Sequence, residues 1–192
     1  MASSQGLSMG KNFNETPWQV VGSEYLGRRP WFTVRKEQVK MPNGNIIPEY
    51  YVLEYPEWVN VLAITVDQKI VMIRQYRHAL GQYNFELPAG VCDPGDCSFL
   101  AAAQRELSEE TGFGGGEWEE YMVLSANPST HTNLTHTFIA RGVTELSTQH
   151  LEKSEDITVY LLSREEVFNL LRRGEIVQAL MAAPLWRFFY EQ

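Results

Sequence analysis

The run Arg105-Glu106-Leu107-Ser108-Glu109-Glu110-Thr111-Gly112 places three carboxylates within five positions of a segment with helical character. At 100° per residue, Glu106, Glu109 and Glu110 fall within an arc of about 100°, and like charges at i, i+3 and i, i+4 repel on a bare helix. A hard divalent cation would reverse the sign of that cost. Oxygen-only ligation suits Mg²⁺ or Mn²⁺, which take a few carboxylates and complete their shell with water and substrate phosphates. The chemistry in view is metal-assisted work on a phosphate-bearing ligand.

Those residues need a frame. The loop 91–97 hands over to a helix that starts near Ser98 and ends at Gly112, with Leu100, Ala103, Leu107 and Thr111 as its inner stripe and the glutamates facing elsewhere. Upstream, residues 85–90 (Phe-Glu-Leu-Pro-Ala-Gly) read as a short strand entering a loop, where Pro88 and Gly90 fix the backbone and permit a close approach. Residues 59–66 and 69–76 form a strand pair around Asp67-Gln68, apolar enough to be central in a sheet. Residues 31–40 and 46–54 form an earlier hairpin across Asn43-Gly44. Residues 121–125, 134–140 and 157–162 add three strands. Ser163 and Glu166 make a capping box for a helix that stops at Gly174, and 175–183 reads as a further helix closed by Pro184. Strands and helices interleave without a regular βαβ period, which predicts a mixed sheet flanked by helices.

At 192 residues, 44% of them hydrophobic, the chain suits one domain of ordinary size. A net charge of −8 opposes binding to duplex nucleic acid, and the basic groupings are too small for a duplex footprint. Arg74 and Arg77 are instead a pair that could hold a diphosphate. Cys92 and Cys97 lack zinc spacing and are expected as free thiols. No apolar run approaches the roughly 18 residues of a membrane span, and the expectation is a soluble, cytoplasmic protein. Residues 1–13, rich in Ser and Gly at their start, are expected to be a disordered leader. His78, His131 and His136 lack metal-ligand spacing and are expected to be structural. Trp18, Trp31 and Tyr51 could stack on a nucleobase.

The segment from Gly90 to Gly112 resembles the signature of the Nudix hydrolases: Gly, five residues, Glu, seven residues, then Arg-Glu-aliphatic-x-Glu-Glu-x-Gly. Gly90 matches the first position and Arg105 to Gly112 match the second half. Gln75-Tyr76-Arg77, Glu86 to Gly90, and Asp93-Pro94-Gly95 resemble in particular the ADP-ribose pyrophosphatase branch. The resemblance implies an α/β/α sandwich with a mixed sheet over 58–192, preceded by an N-terminal β-hairpin subdomain over 14–57 that builds a homodimer and completes the base pocket. It implies Mg²⁺, or Mn²⁺, held by Glu106, Glu109, Glu110 and the backbone carbonyl of Ala89, with Arg105 as orienting partner. Arg77, Arg74, Glu86 and Pro128 would face the substrate. Glu86 would reach the metal site or Arg105, or form a strand-end salt bridge. The implied reaction hydrolyses ADP-ribose to AMP and ribose 5-phosphate.

The chain departs from the signature in two places. Asp96 stands where the first glutamate should, and eight residues rather than seven separate it from Arg105, an insertion expected in the loop because a shift within the helix would rotate everything beyond it by 100°. Where that branch often carries a loop glutamate stands Asn133, which cannot take a proton from water, and Ser129 replaces a glycine. A base would have to come from Glu152, Glu155, Asp156 or His131. The alternatives are hydrolysis of another sugar nucleotide such as GDP-mannose, or a catalytically silent nucleotide-binding protein.

Overall fold

The computed structural model describes residues 16–191, so the leader expected over 1–13 lies outside the described residues. The chain divides into two units, Met1–Leu53 and Glu54–Gln192. In the first, strands β1 (Gln19–Arg29), β2 (Phe32–Lys40) and β3 (Ile46–Glu54) form a sheet in that order. The β2–β3 hairpin turns where Asn43-Gly44 signals it, with Gly44 at φ 90° and its N–H donating to Met41 O at 2.9 Å. β1 was not expected. Its alternation is broken by register shifts beside Gly22 and Gly27, which hide the period-2 pattern. Trp31 is not a strand residue but occupies the β1–β2 turn at φ 62°.

The second unit is built on β4 (Trp58–Thr65), β5 (Ile70–Arg77), β6 (Gln82–Glu86), β7 (Ala89–Val91), helix α1 (Phe99–Thr111), β8 (Phe113–Gly114), β9 (Glu117–Leu124), β10 (Thr135–Glu145), β11 (Ile157–Leu162), and helices α2 (Arg164–Arg172) and α3 (Ala179–Tyr190). The sheet order is β11-β5-β4-β10-β8, with β9 beside β10. Among the described residues, β4 and β10 pair in parallel and their neighbours pair antiparallel, so the sheet is mixed. Alternate residues of the central strands feed two cores. Val59, Val61 and Ala63 pack with Ala103 and Leu107 of α1, whereas Leu62 and Ile64 pack with Val167 of α2 and Leu185 and Phe188 of α3. The expected α/β/α sandwich is the observed one.

Local signals placed two of the helices. Ser98 Oγ accepts from Ala101 N–H at 3.1 Å to cap α1, and Gly112 ends it at φ 76°. Ser163 and Glu166 form the expected box on α2. The third helix corrects the sequence reading: it spans Ala179–Tyr190 and carries Pro184 inside it. A helical proline costs about 3 kcal/mol, largely because it cannot donate to the carbonyl four residues earlier. Here that carbonyl belongs to Leu180, and Asn60 Nδ2 of β4 donates to it at 2.9 Å. Burial of Leu180, Met181, Leu185 and Phe188 contributes about 1.5–3 kcal/mol each and outweighs the remainder.

Replacing Asn60 with Leu should therefore destabilise the protein by about 1–3 kcal/mol, the cost of a stranded buried carbonyl. In a Pro184→Ala background, where the helix supplies its own donor, the same change should cost less. Urea unfolding of the four variants checks this, and equal penalties in both backgrounds would refute the account.

Candidate active site

β4 and β5 pair only at Ile64 and Ile70, beside their hairpin turn. Beyond it, β6 lies along β5 and β7 along the start of β4, with Ala89 opposite Asn60 and Gly90 opposite Val59. Leu87 and Pro88 bridge the opened strands, and Val61 N–H donates to Pro88 O at 2.9 Å. Two contacts join the turn at Ala89 and Gly90 to α1. Ala89 N–H donates to Glu110 Oε2 at 2.8 Å. A Cβ on Gly90 would overlap the carboxyl group of Glu106, so only glycine permits this approach.

Glu106 and Glu110 are thus buried, at 7% and 3% exposure, rather than facing elsewhere as the helical stripe suggested. The correction has a geometric cause: α1 packs against the sheet and also against the β7 turn, so its buried arc widens to about 180° and takes in Ala102, Glu106 and Glu110. Leu100, expected inside, is exposed, and its neighbour Phe99 stacks on His136 at 3.8 Å between ring centres. Burial pushes the Glu106 carboxyl up to about 7, reinforced by Glu109 and Glu155 and opposed by Arg105. Burial likewise holds Glu110 well above the carboxylate range, opposed by the Ala89 amide and reinforced by Glu106 and Glu155.

Arg105 commits all five of its N–H donors. Nε and Nη2 reach the two oxygens of Asp96 at 3.2 and 3.0 Å, Nη1 reaches Glu106 and Glu109 at 2.9 Å each, and Nη2 also reaches Val91 O at 2.9 Å. Asp96 is in turn tied to Asp93, accepting its N–H at 2.8 Å while donating its own to Asp93 O at 3.0 Å. α1 runs unbroken from Phe99 to Thr111, so the longer spacer is absorbed before the helix, between Asp96 and Ser98. The partnership of Asp96 with Arg105 was not foreseen.

Glu86, 1% exposed, pairs with Arg77 through Nε at 2.8 Å and Nη2 at 2.5 Å, so of the readings open for it the structure shows the salt bridge between paired strands, not a pair with Arg105. Arg77 also feels the charge of Glu110. Arg74 does not join it: three residues along a strand reverse the face, and Arg74 lies over the Tyr83 and Phe85 rings on the side of Gly174 and Val177. The expected joint clasp of Arg74 and Arg77 on one diphosphate is corrected accordingly. Pro128 is exposed in a turn whose Asn127 accepts from Thr130 and His131 N–H. His131 packs against the Tyr55 ring at 5.3 Å between centres, Glu152 and Asp156 are exposed, and Asn133 is buried. Half-buried Glu155 is one of the charges acting on both Glu106 and Glu110. Cys92 and Cys97 are free, and burial raises the Cys92 thiol to about 11.

Among the described residues, no three acidic, His or Cys side chains already converge as a metal cage. The donor set nevertheless fits a hard cation. Arg105 engages one oxygen of Glu106 and one of Glu109, the Ala89 amide engages one of Glu110, and burial raises the pKa of the two buried carboxyls, a cost that a bound cation would offset.

Residues 56–183 match the NUDIX domain family, and residues 18–53 match the nucleoside diphosphate sugar hydrolase N-terminal domain. The chain belongs to the Nudix hydrolases, enzymes that generally use divalent metal ions. It is similar to an ADP-ribose pyrophosphatase of Mycobacterium tuberculosis, 32% identical over 88% of this chain and 82% of the relative. It is also similar to a methanol dehydrogenase activator of Bacillus methanolicus, 28% identical over 88% and 89% of the two chains. Among solved structures, the crystal structure of an ADP compounds hydrolase superposes with a TM-score of 0.78 at 25% identity, covering 89% of this chain and 91% of that one. Among the described residues, no helix is long and apolar enough to cross a membrane.

The raised carboxyls set a pH dependence. Between the ordinary glutamate range and about pH 7 the folded protein holds a proton on Glu106 that the unfolded chain has released, so this contribution to stability is full at low pH and is lost as pH rises through about 7. The melting temperature of chelator-treated protein should fall between pH 5.5 and pH 8, less so in Glu106→Gln, and Mg²⁺ should raise it more at pH 8. A melting temperature of the chelated wild type that climbs over that interval by no less than in Glu106→Gln would contradict this.

Proposed function

We propose that this chain hydrolyses the pyrophosphate bond of a nucleoside diphosphate derivative with the help of Mg²⁺ or Mn²⁺, and that the substrate is ADP-ribose, giving AMP and ribose 5-phosphate. The observation that carries the reading is the buried pair Glu106 and Glu110, packed against the Gly90–Ala89 turn on the helix that also bears Glu109. Similarity to the ADP-ribose pyrophosphatase of Mycobacterium tuberculosis supports the choice of substrate.

In this reading Glu106, Glu109, Glu110 and the carbonyl of Ala89 hold the cation. A bound divalent ion would neutralise phosphoryl charge and acidify a water. Arg105 fixes the rotamers of Glu106 and Glu109 and ties them to the loop through Asp96. Arg77, held by Glu86 and 41% exposed at its side chain, meets a phosphoryl oxygen with the donors its partner leaves over. Glu155 accepts the proton of the attacking water, a role supported by its electrostatic proximity to Glu106 and Glu110. The amino-terminal unit, with Val20, Leu26, Trp31, Phe32 and Ile46 each more than half exposed, serves a homodimer and the base pocket. A cytoplasmic location is proposed on composition alone.

Glu110→Gln keeps an acceptor for the Ala89 amide but removes the charge, so it should fold normally and lose roughly a hundred- to thousand-fold in kcat, or about 3–4 kcal/mol of barrier. A panel of ADP-ribose, GDP-mannose, NADH, diadenosine polyphosphates and nucleoside triphosphates, each with Mg²⁺ and with chelator, tests the substrate. Preferential turnover of GDP-mannose would move the assignment to another sugar nucleotide. Binding without turnover of any of them would mark a silent binder.

Light scattering at micromolar concentration should give twice the chain mass. A monomer whose activity is indifferent to dilution would rule the dimer out.

A further inference from the structure

The carboxyl end of α1 is not left to solvent. Gly112 O accepts from Leu146 and Ser147 N–H at 2.8 and 3.1 Å, and Glu109 O accepts from His150 N–H at 2.9 Å. A Cβ on Gly112 would strike Ser147 O, which shows how closely this segment is laid against the helix end. Gln149 makes the remaining link. Its Nε2 donates to Glu110 O at 2.6 Å and to Ile157 O, the first residue of β11, at 3.4 Å. One amide thus uses both of its hydrogens to join the two ends of the loop 149–157 to the helix that bears the acidic cluster.

Within that loop Glu155 is held by a reciprocal turn: its N–H donates to Glu152 O at 3.0 Å, and its Oε2 accepts from Glu152 N–H at 2.8 Å. The turn is local and would survive on its own. What sets its place relative to α1 is the clasp at the loop's base. Gln149 is exposed, so its side chain contributes little to the core, and the other groups at the helix end are bonded through backbone atoms that substitution cannot remove.

We propose that Gln149 is a positioning residue for catalysis: by joining Glu110 O to Ile157 O it fixes the loop that carries Glu155 against α1. This rests on the assignment of Glu155 as the base. Gln149→Met preserves length and removes both donors. A shift of about 1 Å in a reacting group costs on the order of a hundredfold, and a loosened loop should lower kcat roughly ten- to a hundredfold. KM for ADP-ribose should stay within about twofold, since no substrate contact is lost, and the melting temperature should fall modestly, since Glu110 O loses its donor.

The deciding experiment is a double-mutant cycle with Glu155→Gln, read as kcat with saturating Mg²⁺, together with calorimetric titration of Mg²⁺ into each variant. If Gln149 acts through Glu155, its substitution should lower kcat in the wild-type background and have no further effect once Glu155 is Gln, with Mg²⁺ affinity unchanged. An unchanged kcat in Gln149→Met, or the same fold-loss in both backgrounds, would overturn the proposal while leaving Glu155 as base. A weakened Mg²⁺ affinity would also overturn it, by moving the effect to Glu110. If Glu155→Gln alone leaves kcat intact, the base assignment itself fails, and the role of Gln149 falls with it.

Discussion

The acidic group of Glu106 occupies the volume that any side chain at position 90 would need, and the site is organised around this exclusion. A bare backbone at Gly90 lets α1 sit close enough to the turn for Glu110 to accept from Ala89 N–H. The turn itself exists because β4 and β5 separate after one residue pair and leave room for β6 and β7. Close approach has an electrostatic cost, since it draws two carboxyls out of water, and both respond by holding their protons more tightly.

Arg105 limits that cost without cancelling it. Its guanidinium is surrounded by Asp96, Glu106 and Glu109, with Asp93 at 3.8 Å, and has no donor to spare. It acts less as a neutraliser than as a template that sets where each oxygen points. The short carboxylate at position 96 becomes intelligible here. A bidentate pair requires only that the group reach the guanidinium edge, and the Asp93–Asp96 turn brings it there.

Whatever depended on near neighbours in the chain could be read from sequence. Ser98 and Gly112 bracket α1, Ser163 and Glu166 open α2, and Asn43-Gly44 turns a hairpin, each because a few adjacent residues supply the hydrogen bonds. Apart from β1, whose bulges hide its alternation, the failures were questions of what lies opposite. Pro184 closes an isolated helix but not one whose freed carbonyl meets Asn60, some 120 residues away. Helical phase alone set Glu106 apart from the buried stripe, because the second surface against α1 comes from the β7 turn. Arg74 and Arg77 look adjacent in sequence, yet strand alternation sends them to opposite faces. Gln149 gave no local signal, since its two partners lie in α1 and β11.

The bond from Asn60 to Leu180 O also bears on the order in which the molecule assembles. A peptide spanning Ala179–Tyr190 alone carries an interruption that its own backbone cannot mend, whereas the strand holding Asn60 can be in place beforehand. Docking of α3 should accordingly come late, after the central sheet has presented its amide. During synthesis α3 leaves the ribosome after the strands of the central sheet and waits for a finished template, and until then Leu185 and Phe188 are exposed to other chains.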